Sequence, residues 1–174
     1  TPAERKRSLF DWNDTTADFP QGCIHDLFAE QADKDPAALA VVCNDNSLRY
    51  GDLEKKSNQL AHYLRANGVG AEDRVGIYLP RTEQIVIALL GVLKAGAAYV
   101  PLDLSYPAER IAYMVKDSDP FAILTLTDLS AALPGTIRKI CLDGEAGPIA
   151  TCTSSRPISI TVNDSQAYVI YTSG

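Results

Sequence analysis

Arg74-Val75-Gly76-Ile77-Tyr78-Leu79-Pro80 carries no charge after its first residue and is closed by a proline, which predicts a buried strand. Thr82 can cap a helix that runs to Lys94, and Gly96 is placed to stop it. Ala98 to Leu102 then predicts a second strand. Strand, helix, strand in that order is a βαβ unit, whose crossover makes the two strands parallel.

The pattern continues downstream. Pro107 suits the first turn of a helix carrying Ile111, Met114 and Val115. Asp119-Pro120 ends it, and Phe121 to Thr125 predicts a third strand. Ile137 to Leu142 and Ala167 to Thr172 predict further strands, the last of them buried. Upstream, Ile24 to Asp33 puts Ile24, Leu27, Phe28 and Ala32 on one helical face, and Asp35-Pro36 stops that helix. Ala38 to Cys43 and Leu48 to Tyr50 read as a hairpin around Asn44 to Ser47. Asp52 to Asn67 is a second helix with Leu53, Leu60, Ala61 and Leu64 inward and Gly68 as its stop. The fold class is therefore α/β, with βαβ units forming a mainly parallel sheet flanked by helices. Two stretches interrupt it. Thr1 to Gln21 is polar and charge-rich and reads as linker; Asp143 to Asp164 reads as a surface excursion with a short strand at Ile158 to Val162.

The bulk properties narrow the function. The 174 residues are 46% hydrophobic and 22% charged, ordinary for a globular domain. Net charge is −6, and no basic block exceeds Arg5-Lys6-Arg7, which argues against nucleic acid or an anionic membrane as a partner. The longest apolar run, Ile85 to Leu93, is far short of the roughly 20 residues of a membrane span. Cys23, Cys43, Cys141 and Cys152 form no C-x-x-C pair, and His25 and His62 are the only histidines. We therefore expect reduced thiols in a cytoplasmic protein and no metal site. Cys23 and His25 lie two apart at a helix start, so their side chains are not expected to share a face.

The chemistry concentrates at the end. Tyr168-Val169-Ile170-Tyr171 runs into Thr172-Ser173-Gly174. Hydroxyls and free N–H groups after a strand make an anion nest, so Thr172, Ser173 and Gly174 are the candidate phosphate ligands. By itself such a tripeptide is more often an ordinary turn. Lys94 reads as a helix C-terminal residue complementing the dipole, Asp52 as a first-turn carboxylate and Asp103 as a turn stabiliser. Tyr50 reads as a strand-end ring packed with its hydroxyl bonded. Arg81 lies at a strand's carboxyl end, where it could face a nucleotide, though a solvated side chain is the plainer reading. No G-x-S-x-G, Walker lysine loop, G-x-G-x-x-G or metal-ligand cluster is present, and no residue is assigned a catalytic role.

A second segment strengthens the loop reading. Leu93-Lys94-Ala95-Gly96-Ala97-Ala98-Tyr99-Val100-Pro101-Leu102-Asp103 closely resembles the second core motif of nonribosomal peptide synthetase adenylation domains. Leu48-Arg49-Tyr50-Gly51-Asp52-Leu53 resembles their first motif, with Arg49 where Thr is common and Asp52 where Glu is common. Tyr168 to Gly174 resembles the opening of their third, the phosphate loop, which in the family continues S-T-G-x-P-K-G. The resemblance spans about Cys23 to Gly174. It implies that residues 22–174 are part of the large N-terminal core of an adenylate-forming enzyme, cut within the phosphate loop. It also implies that Trp12-Asn13 belongs to a connector from an upstream condensation domain. The implied activity uses Mg²⁺ and ATP to convert an amino acid into an aminoacyl-adenylate. The acyl group then passes to the phosphopantetheine thiol of a peptidyl carrier protein. The family's adenine contacts, selectivity pocket and catalytic lysine lie downstream, so the fragment alone is expected to be inactive. In many relatives an MbtH-like protein docks near Ala97 and Ala98; these residues themselves give no direct sign of it. Two other readings stay open: an acyl- or aryl-CoA ligase of the same superfamily, and a non-catalytic docking subdomain.

Overall fold

The computed structural model describes residues 1–18 and 21–172. In chain order the elements are α1 (Pro2–Leu9), α2 (Ile24–Lys34), β1 (Leu39–Cys43), β2 (Asn46–Arg49), α3 (Tyr50–Ala66), β3 (Arg74–Ile77) and α4 (Glu83–Ala95). They continue with β4 (Ala98–Pro101), α5 (Ala108–Ser118), β5 (Ala122–Thr125), β6 (Lys139–Cys141) and α6 (Ala146–Thr151). Strands β1 and β2 form an antiparallel hairpin. The other four make a parallel sheet in the order β4-β3-β5-β6.

That order follows from the crossovers. The chain leaves β3 through α4 to β4 on one side, then returns through α5, passing β3, to β5 on the other. Crossovers of one hand running in opposite directions must place their helices on opposite faces. They do. One cluster packs Leu60, Ala61 and Leu64 of α3 and Ala88, Val92 and Ala95 of α4 against Val75, Ile77, Ala122 and Leu124. The other packs Ile111, Met114 and Val115 of α5 against Val100 and Ile123. The period-two alternation along β5, with Ala122 and Leu124 to one face and Ile123 to the other, is what a sheet buried on both faces requires.

Two glycines set close approaches. Gly91 lets α3 and α4 meet, since a Cβ there would lie 2.7 Å from Leu60 Cδ2. Gly96 ends α4 in the left-handed region at φ 96° and is covered by Ile160, 2.6 Å from where a Cβ would sit.

The structure changes four readings. Residues 1–9 are not plain linker: Thr1 and Glu4 form a capping box before α1, yet no residue of α1 is buried. The inward face of α2 is His25, Ala29 and Ala32, whereas Ile24 is exposed. The stretch from Ile158 to Val162 is not a strand. Polar side chains of α3 take the carbonyls of its surroundings instead: Asn58 donates to Ser154 O at 3.0 Å and Arg65 to Ile158 O at 2.9 Å. Finally, Ala167 to Thr172 is not a full buried strand. It runs parallel to β4 through a single bridge, with Tyr99 N–H donating to Ala167 O at 3.1 Å and Val169 N–H to Tyr99 O at 3.0 Å. Tyr168 and Ile170 are exposed, because no further strand pairs with this edge among the described residues.

Candidate functional site

The strand order reverses between β3 and β5; beside that switch point a crevice opens at the carboxyl ends of β3 and β4, the side of the sheet on which open α/β folds bind ligands. A cleft of about 600 Å³ lies there. Pro80 and Arg81 after β3, and Leu102, Asp103 and Ser105 after β4, form two of its walls; Ile170 and Tyr171 form the third. The segment that precedes the candidate loop is thus a wall of the cleft.

The polar groups of the cleft are partly spoken for. Asp103 accepts from the Ser105 N–H at 2.8 Å and from its hydroxyl at 2.7 Å, and pairs with Arg81 at 3.2 Å. The Ser105 bonds, then the Arg81 guanidinium, hold the Asp103 carboxyl below its ordinary range. Asp103 is the turn stabiliser the sequence suggested, and the Arg81 side chain is 90% exposed. Tyr171 donates its hydroxyl to Asp117 Oδ2 at 2.6 Å, with Met114 O at 3.3 Å. Burial, then the Asp117 carboxylate, pushes the phenol up to about 12, so it stays a donor at neutral pH. Thr172 follows and is exposed. Ser173 and Gly174 lie outside the described residues.

Lys94 is not at this site. It is buried, and its ammonium donates to Glu54 Oε2 at 2.5 Å, Ser57 Oγ at 2.8 Å and Asn58 Oδ1 at 2.8 Å. All three ammonium protons are used, and the Phe28 ring lies 5.4 Å away. Phe28 in turn stacks on Tyr50, at 5.6 Å. Burial draws the Lys94 ammonium down, and Glu54 pulls it back. Burial likewise raises Glu54, but hydrogen bonds from Lys94 and Arg156 outweigh it and hold the carboxyl below its ordinary range. Arg156 also reaches Asp33 at 3.0 Å, and Arg65 donates to Lys94 O at 2.7 Å and Ala95 O at 3.2 Å. Lys94 is structural, as read from the sequence. The reason is a saturated buried network more than the helix dipole.

One expectation about the histidine fails. Cys23, His25 and Asp26 bring ligand atoms within 4.8 Å of one another. Cys23 sits before α2 in extended conformation, so helical spacing does not govern its side chain. Two of the three have partners outside the group: His25 Nε2 lies 3.2 Å from Thr161 Oγ1, and Cys23 Sγ donates to Val162 O at 3.5 Å; Asp26 lies 3.7 Å from His25.

A parallel sheet wound in both directions from β3, with helices on both faces and a cleft at the carboxyl ends of β3 and β4, places the chain in the doubly wound α/β class. The family model for AMP-binding enzymes matches residues 28–174, and the chain belongs to that family. It is 44% identical over 172 residues to bacitracin synthase 3 of Bacillus licheniformis, a match covering 99% of this chain and 3% of that protein. It is 42% identical over 177 residues to tyrocidine synthase 3 of Brevibacillus parabrevis, covering 100% and 3%. Among solved structures, the nonribosomal peptide synthetase FmoA3 in an AMPPNP-bound form superposes with a TM-score of 0.86 at 30% identity. That match covers 97% of this chain and 18% of the other. The chain thus spans a small part of the length of its relatives. The likeness to peptide-synthetase adenylation domains read from the three motifs is borne out, as is the parallel α/β fold. No helix among the described residues is long and apolar enough to cross a membrane.

Proposed function

We propose that this chain is the N-terminal part of an amino-acid-activating adenylation domain within a larger peptide synthetase. The observation that carries the reading is the course of residues 167–172. They run along the β4 edge toward the carboxyl side of the sheet, where Ile170 and Tyr171 wall the cleft and Thr172 follows them in the chain. A match to peptide synthases over 99% of the chain supplies the context.

In this reading Thr172, Ser173 and Gly174 contact the phosphates of ATP. The Thr172 and Ser173 hydroxyls and the backbone N–H groups meet phosphate oxygens, and Gly174 permits close approach. The substrate carboxylate attacks the α-phosphorus, an acyl-adenylate forms and pyrophosphate leaves. A preorganised nest lowers the barrier by meeting charge already placed for it. Magnesium enters as part of the Mg-ATP substrate. Asp103 and Asp117 are both engaged within the chain, so neither is assigned to the metal. Acyl transfer to the phosphopantetheine thiol of a carrier protein follows. Residues 1–21, with the exposed Phe10 and Trp12, are then the connector to an upstream condensation domain. An MbtH-like protein is a further partner in the same reading. Four free cysteines fit a cytoplasmic setting.

The test is ATP–pyrophosphate exchange by the intact protein, amino acid by amino acid. Exchange with one amino acid supports the proposal and names the substrate. Exchange with aryl or fatty acids only moves it to a CoA-ligase or aryl-activating reaction. No exchange from folded protein, with or without an MbtH-like protein, leaves a docking role.

A further inference from the structure

From the two-sided anchoring of residues 167–171 we infer that Tyr171 and Asp117 form a latch that positions Thr172, so that helix α5 tunes the contact of this hydroxyl with ATP. The inference rests on the reading of Thr172 to Gly174 as phosphate ligands.

The segment before Thr172 alternates. Tyr168 and Ile170 face outward and are exposed, while Val169 and Tyr171 pack into the cluster built on α5. On the sheet side its backbone has few bonds to β4: one from Tyr99 and one from Val169. Both lie at or before Val169, so they fix the start of the segment and leave Tyr171 to be placed by something else. The side chain supplies it. The Tyr171 ring meets Tyr113 edge-on at 6.3 Å between centroids, and its hydroxyl reaches Asp117 and the Met114 carbonyl near the end of α5. Tyr171 is covalently next to Thr172, so a shift of the ring moves the first candidate ligand of the loop. A hydrogen bond from a neutral hydroxyl to a carboxylate is among the stronger ones. Removing the hydroxyl alone leaves the ring's packing intact, which makes the role separable from stability.

Tyr171→Phe and Asp117→Ala in the intact protein provide the test, read by ATP–pyrophosphate exchange with ATP and amino acid titrated separately. Each variant is expected to raise KM for ATP about tenfold, the equivalent of one charged hydrogen bond. KM for the amino acid and the melting temperature stay near wild type. The double variant is expected to be no worse than either single one, because both remove the same contact. Asp117→Asn keeps an acceptor and is expected to restore much of the loss. An unchanged KM for ATP overturns the latch. So does a rise in both KM values together with a lowered melting temperature, since that marks a packing role only. If the wild-type protein shows no exchange, the adenylation reading itself fails, and the latch as a device of phosphate binding fails with it.

Discussion

The Lys94 network and the segment from Tyr168 to Thr172 lie on motifs of similar apparent importance, yet they are built in opposite ways. All three ammonium protons of Lys94 have partners inside the protein, and the helices α2, α3 and α4 are tied to the excursion through Arg156 and Arg65. A group so completely satisfied has no bond left to offer a ligand. The segment ending at Thr172 is the reverse. Two of its large apolar residues are exposed, its backbone holds one edge of a sheet, and its last described hydroxyl is exposed. Saturation marks a part that holds the fold together, and the exposed hydroxyl at the sheet's carboxyl edge is what the proposed phosphate site requires.

Substitutions that separate the two regions give the sharpest tests. The largest effect is expected from Lys94→Ala, which opens a hole at a buried position and leaves the largely buried Glu54 carboxylate with Arg156 as its remaining charged partner. A loss of roughly 3–5 kcal/mol of local stability is expected, read as faster hydrogen exchange of the α3 and α4 amides in the intact protein. Little change there would mean the network is not what holds these helices. Gly96→Ala is next. It forces a side chain into a left-handed conformation against Ile160 and should cost about 1–2 kcal/mol by the same readout.

The network should also titrate. The folded value of Glu54 is held below 4.5, so its contribution is full above the ordinary glutamate range and is lost as pH falls through the lowered value. Protection of α3 amides should therefore decline in acid more steeply in wild type than in Glu54→Gln. Equal slopes would contradict the assignment. The smallest stability effect belongs to Thr172→Val, within about 0.5 kcal/mol, because the side chain is exposed. Its KM for ATP should nevertheless rise several-fold.

Much of this was legible in the sequence because it is local. The uncharged run after Arg74, the Gly96 stop and the Pro107 helix start each leave a short-range signature, and together they specify the βαβ order. What was not legible depends on distant partners. Lys94 meets Glu54, Ser57 and Asn58 from 36 to 40 residues away, and no spacing rule connects them. The alternation of Ile158, Ile160 and Val162 suggested a strand, but the side chains of α3 compete for the carbonyls in this region. Cys23 approaches His25 because it precedes the helix whose spacing was applied to it. For α1 the signal was present, as Thr1 with Glu4 three residues on and Pro2 between, and the polar composition outweighed it. At the proposed site, the sequence offered Thr172, Ser173 and Gly174 as candidates by residue type alone. The anchoring of Tyr171 by Asp117 was not legible, because the carboxylate reaches it from α5.

The central claim is that binding lives at the carboxyl edge and stability in the saturated network. It is tested most directly by ATP-dependent pyrophosphate exchange with a cognate amino acid in the intact protein, comparing wild type with Thr172→Val. The account predicts amino-acid-dependent exchange in both, with a raised KM for ATP and an unchanged melting temperature in the variant. Absence of amino-acid-dependent exchange from folded wild-type protein, or an ATP titration indifferent to the substitution, would contradict it.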